Sequence, residues 1–137
     1  MFKKGLGKLM IQIKALDHLV LTTRDFDRCI WFYRDVLGLE LVCREGHYAL
    51  RFGVQKINIH RRPAEFLPAA KNITAGSLDF CLLTDTDLLE VKQQLDEYGV
   101  EIEEGVVERN GALGKMQSLY VRDPDGNLVE ISKYQKQ

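Results

Sequence analysis

From Ile13 the run IKALDHLVLTT is dense in β-branched and aliphatic residues and stops at Arg24-Asp25, which predicts a strand. Asp25 or Asp27 can cap a following helix in which Phe26, Ile30, Phe32, Tyr33 and Leu37 recur at roughly helical spacing, and Gly38 supplies a left-handed stop. Three short runs of strand composition come next, LELVCREG, HYALRFG and QKINIHRR, separated by glycine turns. Residues 61–75, with Pro63, Pro68 and Asn72, read as a linking loop without regular structure. The scheme then repeats: GSLDFCLLT as strand, DTDLLEVKQQLDEYG as helix, and VEIEEGVVE, KMQSLYVRD and NLVEISKY as three strands. A shift of 61 residues lays Ile30 on Val91, Gly38 on Gly99, Glu40 on Glu101 and Leu41 on Ile102 without a gap. The pattern predicts an α+β fold of two βαβββ modules, residues 12–62 and 76–134, within a single domain 12–137 behind an N-terminal extension 1–11. Two copies of one unit imply a pseudo-twofold axis and a shared cleft.

The first residues, MFKKGLGKLMIQIK, have two early lysines, and Lys8 and Lys14 break the apolar run before the core of a signal peptide could form, so this stretch reads as a disordered lead. Nowhere do the roughly 20 successive apolar residues of a membrane span occur. With 19 basic and 20 acidic side chains, the net charge of −1 offers no general attraction to nucleic acid or anionic lipid. The partners expected are therefore a small-molecule substrate and a second copy of the chain, with no nucleic acid and no membrane. Cys29, Cys43 and Cys81 are odd in number and far apart, which argues against a disulfide framework and for a cytoplasmic location.

Alternation along strands selects the candidate chemistry. In the first strand His18, Val20 and Thr22 share one face. In the last, Glu130 stands between Val129 and Ile131, so a carboxylate is fixed where its neighbours favour burial, and a cation or a hydrogen-bond network must answer it. Asn58 and His60 share a face of the fourth strand, and the 61-residue shift lays Asp79 on His18. Imidazole with carboxylate suits zinc, nickel, manganese or iron better than calcium or magnesium. The alternative is that the histidines are hydrogen-bonded core residues while Asp79 and Glu130 pair with arginines such as Arg51 or Arg122.

The segments LDHLVLTTRDFDRCIWFYRDVLGLEL and LYVRDPDGNLVEIS resemble the two signature stretches of the vicinal oxygen chelate superfamily, which includes glyoxalase I, fosfomycin-resistance proteins, extradiol dioxygenases and bleomycin-binding proteins. The matching positions are His18, Phe32-Tyr33 through Leu37-Gly38, Asp123-Pro124-Asp125-Gly126-Asn127, and Glu130. KINIH, GSLDFCLLT and the stretch Arg109 to Gly114 resemble more closely the glyoxalase domain-containing protein 5 group. The resemblance implies a cleft of curved mixed sheet, a divalent metal ion and ligands His18, His60 and Glu130. In metal-binding relatives the fourth strand offers a Glu where Ile57-Asn58-Ile59 stands here, so His60 and Asn58 compete for that role. Relatives with a third ligand in the fifth strand commonly place a His where this chain has Asp79, which argues against extradiol dioxygenase activity.

Three functions follow. A metal-dependent glyoxalase of the lactoylglutathione lyase type would act on an α-hydroxycarbonyl or hemithioacetal, with Asp79 and Glu130 as catalytic carboxylates and Arg51, Tyr120 and Arg122 holding an anionic substrate. A thiol transferase of the fosfomycin-resistance type would need a phosphonate pocket, hinted at by Ser118, Tyr120 and Arg122. A metal-free binding protein of the bleomycin-resistance type would sequester its ligand in an aromatic cleft, but its relatives lack the His and Glu retained here.

Overall fold

The computed structural model describes residues 3–4 and 8–136. Within the N-terminal extension, β1 (Lys3–Lys4) pairs antiparallel with β2 (Lys8–Leu9), so part of the expected disordered lead forms a short ladder, while residues 1–2 and 5–7 lie outside the described ones. Residues 10–17 carry no regular element. The first long strand, β3 (His18–Thr22), starts later than its composition suggests because Ile11 and Ile13 are 86% and 83% exposed and the ladder that pairs it begins only at His18 opposite Lys56.

The two modules follow as expected. After β3 come α1 (Phe26–Ile30), β4 (Glu40–Arg44), β5 (His47–Phe52) and β6 (Gln55–His60). After the linking loop come β7 (Asp79–Leu83), α2 (Leu88–Glu97), β8 (Ile102–Gly111), β9 (Gly114–Arg122) and β10 (Leu128–Tyr134). They form two four-stranded sheets, ordered β3-β6-β5-β4 and β7-β10-β9-β8, in which the first pair is parallel and the others antiparallel. The registers agree with the 61-residue repeat: Val20 stands opposite Asn58 in one sheet, and its repeat partner Cys81 stands opposite Glu130 in the other.

Asp25 caps α1 by accepting from the Arg28 amide at 3.2 Å, and Asp87 caps α2 by accepting from Leu89 at 2.9 Å. Beyond Ile30 the first helix widens into a π-helical turn, Trp31–Val36, closed by the Leu37 amide on the Phe32 carbonyl at 3.0 Å. This departs from the simple helix read from spacing. Cys29, Ile30, Phe32, Tyr33 and Val36 along this stretch are all buried. The core joins both modules: Leu21, Leu50, Ile57 and Ile59 from the first sheet, Leu119, Val121, Val129 and Ile131 from the second, with helix residues of both between them. Each such side chain contributes about 1.5–3 kcal/mol by leaving water. The three cysteines are free thiols, with Cys29 in the core.

Polar contacts fix how the modules meet. In the turn Asp123–Asn127 the Asp123 carboxylate accepts from the amides of Asp125 and Asn127 at 2.9 Å each and from the Asn127 side-chain amide at 2.7 Å. It also accepts from the Tyr33 hydroxyl at 2.7 Å, across the module boundary. Asp125 accepts from the Thr23 hydroxyl at 2.5 Å and the Arg24 amide at 3.0 Å, and the Asn127 side-chain oxygen accepts from the Leu78 amide at 2.8 Å. Thr23, Asp123, Asp125 and Asn127 are all buried, and every partner is satisfied, which is the condition under which such burial stabilises. Gly76 packs so tightly here, at φ +85°, that a Cβ would run into the Asp125 carbonyl.

Burial, reinforced by Asp123, raises the Tyr33 phenol well above its ordinary value of 10.0. A raised acid favours the folded state below its unfolded pKa, so this contribution is present at neutral pH and is lost as pH rises beyond 10. Urea unfolding should show Tyr33→Phe less stable at pH 7 by about 1–3 kcal/mol, with a shallower fall of stability between pH 10 and 11 than the parent chain. An equal slope in both would show that the phenol is not held protonated by the fold. Gly76→Ala should lower stability by more than about 1 kcal/mol in the same measurement; no loss would mean that the Asp125 turn yields freely.

Candidate functional site

Each sheet turns one face to the shared core and the other away from it. On the open face of the first sheet, rows run across the strands as His18, Lys56, Arg51 and Glu40, then Val20, Asn58, Ala49 and Val42. Thr22 beside His60 and His47 beside Arg44 continue the same face. On the open face of the second sheet the rows are Asp79, Leu128 and Arg122, then Cys81, Glu130, Tyr120 and Glu104. These faces carry exposed apolar side chains, Val20 at 42% and Leu83 at 61%.

Glu130 sits in a hydrogen-bonded group. Its carboxylate accepts from Ser132 at 3.1 Å, Ser132 and Ser118 lie 2.6 Å apart, and the Cys81 thiol donates to Ser132 at 3.1 Å. Burial and the nearby Glu130 charge push the Cys81 thiol up despite its bond to Ser132, so at neutral pH it is not a thiolate nucleophile. Burial and Glu130 also raise the Tyr120 phenol, against the lowering effect of Arg109, whose Nε donates to the phenol oxygen at 2.9 Å. Tyr120 is therefore a protonated donor beside a carboxylate.

The two arginines that offered ion-pair partners are engaged elsewhere. Arg122 makes a two-point pair with Glu103 at 2.9 and 3.0 Å, and Arg51 lies 3.5 Å from Glu40. Neither Asp79 nor Glu130 has a basic side chain within 4.0 Å among the described residues, so these carboxylates are not neutralised by internal salt bridges. Asp79 and Glu130 share a face one ladder step apart.

His18 and His60 are not brought together. The register sets them four residues apart along the β3–β6 ladder, about 13 Å of strand. Asn58 lies between, in the position that corresponds to Glu130. The His18 Nδ1 donates to the Asp17 carboxylate at 2.8 Å. His60 is buried instead edge-on against Phe66, with ring centroids 5.4 Å apart, and the same Phe66 stacks on His47 at 3.7 Å. Among the described residues no three His, Cys, Asp or Glu side chains of one chain converge on a common point that could hold a metal. His18 lies on one open face, and Asp79 and Glu130 lie on the other.

Sequence reasoning missed Arg44, His47, Lys56 and Phe66, which surround a pocket of about 560 Å³ on the first open face together with Arg51, Asn58 and His60. Arg44 and His47 could have been found, since they occupy the same alternation as His60. Phe66 could not: it lies in the linking loop, folded over the sheet because Glu65, its side chain 2% exposed, accepts from the Arg61 amide and guanidinium at 2.8 Å. These bonds hold the Glu65 carboxyl below its ordinary range.

Residues 15–131 match the model of the Glyoxalase/Bleomycin resistance protein/Dioxygenase superfamily. The chain is 48% identical over 123 residues to Virulence protein STM3117 of Salmonella typhimurium, covering 89% of this chain and 85% of that one. The crystal structure of that protein superposes with a TM-score of 0.88, covering 91% of this chain and 100% of that one at 47% identity. This chain is 44% identical over 126 residues to Glyoxalase domain-containing protein RDO1 of Mycosarcoma maydis, covering 91% of this chain and 71% of that one. A lactoylglutathione lyase from Agrobacterium tumefaciens has 27% identity and a TM-score of 0.69, over 88% of this chain and 94% of that one. The repeated modules, the position of the Asp123–Asn127 turn and these matches agree: the chain belongs to the Glyoxalase/Bleomycin resistance protein/Dioxygenase superfamily.

Proposed function

We propose that this protein is a cytoplasmic homodimeric enzyme of the lactoylglutathione lyase type, whose cleft closes when the open face of the first sheet meets the open face of the second sheet in another copy. The observation that carries this reading is the pair of exposed faces on which His18 and Asp79 occupy repeat-related positions, with Glu130 at the position that Asn58 holds on the other face. One chain does not gather a three-ligand set among its described residues, so a divalent metal held by His18 and Glu130, with Asn58 or His60 completing the first face, needs two copies. Such a metal, zinc, nickel, manganese or iron, would supply Lewis-acid polarisation of adjacent oxygens in an α-hydroxycarbonyl or hemithioacetal.

The chain's own groups account for the proton chemistry. Glu130, hydrogen-bonded by Ser132, can take a proton from one carbon and return it to its neighbour, with Asp79 one ladder step away as the alternative base. Tyr120, kept protonated by burial and the Glu130 charge and oriented by Arg109, donates to oxygen where negative charge develops. Arg51 and Arg122 hold anionic ends of the substrate from opposite faces. No helix among the described residues is long and apolar enough to cross a membrane, and a nucleic acid or lipid partner is not part of this reading.

Elemental analysis of untagged protein after reconstitution should find near-stoichiometric divalent metal that is lost in a His18→Ala/Glu130→Gln double variant, and light scattering should give the mass of a dimer. Glu130→Gln should lower turnover of the methylglyoxal–glutathione hemithioacetal by about 100-fold or more. Absence of metal from the parent chain with all four ions would overturn the enzyme reading and favour a metal-free binding protein.

A further inference from the structure

We infer that the pocket between the open face of β3 and the linking loop binds an uncharged, largely apolar small molecule through one hydroxyl or carbonyl group on His60. The pocket has a volume of about 520 Å³, in the range that holds a small molecule, and Val20, Pro68, Ala70, Ile73 and Leu78 give it apolar walls. No Asp, Glu, Lys or Arg lines it. An ion placed there would leave water without gaining a counter-charge, which selects against charged ligands.

His60 is the polar anchor. It is only 9% exposed, yet among the described residues neither of its ring nitrogens makes a hydrogen bond. The other polar groups of the pocket are answered: Asn127 accepts from the Leu78 amide, Ser77 donates to the Thr74 carbonyl, and Asn72 and Thr74 are open to solvent. Buried polar side chains are normally hydrogen-bonded, and a neutral imidazole offers one donor and one acceptor, so a ligand hydroxyl or carbonyl satisfies it. Thr22, opposite His60 in the ladder, adds a hydroxyl to the same wall. Asn58 does not line this pocket. His60 thus serves the substrate, and Asn58 is the residue of β6 left for the metal. This assignment rests on the proposed cleft, whose substrate class it names, but the binding itself needs neither metal nor a second copy.

Titration of the full-length protein with phenethyl alcohol, phenylacetate and ethylbenzene, followed by amide NMR shifts, tests it in metal-free and reconstituted samples. Phenethyl alcohol should shift the amides of the linking loop around Ile73 and bind at least about tenfold tighter than phenylacetate. His60→Phe, which keeps a ring in place, should weaken phenethyl alcohol about five- to tenfold without weakening ethylbenzene, and His60→Gln should restore part of the loss. Ile73→Asp should weaken both uncharged probes. Lys56→Ala, in the basic pocket that His60 also borders, should leave phenethyl alcohol unchanged. No saturable binding of phenethyl alcohol, equally tight phenylacetate, or parent-like affinity in His60→Phe would overturn the inference, as would loss of bound metal in that variant. Metal uptake without phenethyl alcohol binding refutes this inference alone; phenethyl alcohol bound by a protein that takes up no metal supports it and refutes the metal reading alone.

Discussion

The Asp123 carboxylate accepts hydrogen bonds from four donors, three in its own turn and one from Tyr33 in the other module, and the relation between the two halves depends on it. A buried carboxylate without that set would be strongly destabilising, and a buried phenol without an acceptor would be costly too. Because Thr23, which follows β3 directly, bonds Asp125 in the same turn that leads into β10, these contacts fix the ends of the strands that carry His18 and Glu130. The apolar core holds the modules together without directional preference, and the polar turn sets the angle at which they are held.

Strand alternation then divides the chemistry. With Leu21, Ile57, Ile59, Val129 and Ile131 committed to the core, His18, Asn58, His60, Asp79 and Glu130 are left on outward faces. The two faces have diverged despite their common topology. Where the second carries a carboxylate supported by serines and a tyrosine, the first carries amide, imidazole and a concentration of cations. In the proposed cleft one face of each kind would meet, bringing unlike rather than like charges together.

Much of this was legible in the sequence. The repeat, the order of elements and the face shared by His18, Val20 and Thr22 followed from periodicity, because the core imposes period two on each strand. The late start of β3 was not legible, since strand composition in residues 13–17 has no partner to pair with. The π-helical turn was hidden because the spacing of Ile30, Phe32, Tyr33 and Leu37 fits an ordinary helix, and only the backbone bond from Leu37 to Phe32 sets the wider turn apart. The Asp123–Asn127 turn read as a hairpin device, and its inter-module bonds involve residues about a hundred positions away. Alternation placed His18 and His60 on one face without revealing that the ladder offsets them by four residues. The turn at Phe66 depends on the local ion pairs of Glu65, which composition alone does not order.

The asymmetry of the inter-module turn bears on how the chain comes together during synthesis. Its counterpart in the first module, the tight connection Gly53–Val54, offers no comparable acceptors, so the joint is made from one side only. An emerging chain presents the Tyr33 hydroxyl, the Thr23 hydroxyl and the Arg24 amide some ninety to a hundred residues before their acceptors exist. Until then these groups are served by water, and the first module has half of its core uncovered. Completion of the fold waits for the connection into β10, which makes the segment from Asp123 to Tyr134 a checkpoint: a chain that stops short of it retains an incomplete joint and exposed core surface, the state that quality-control proteases recognise.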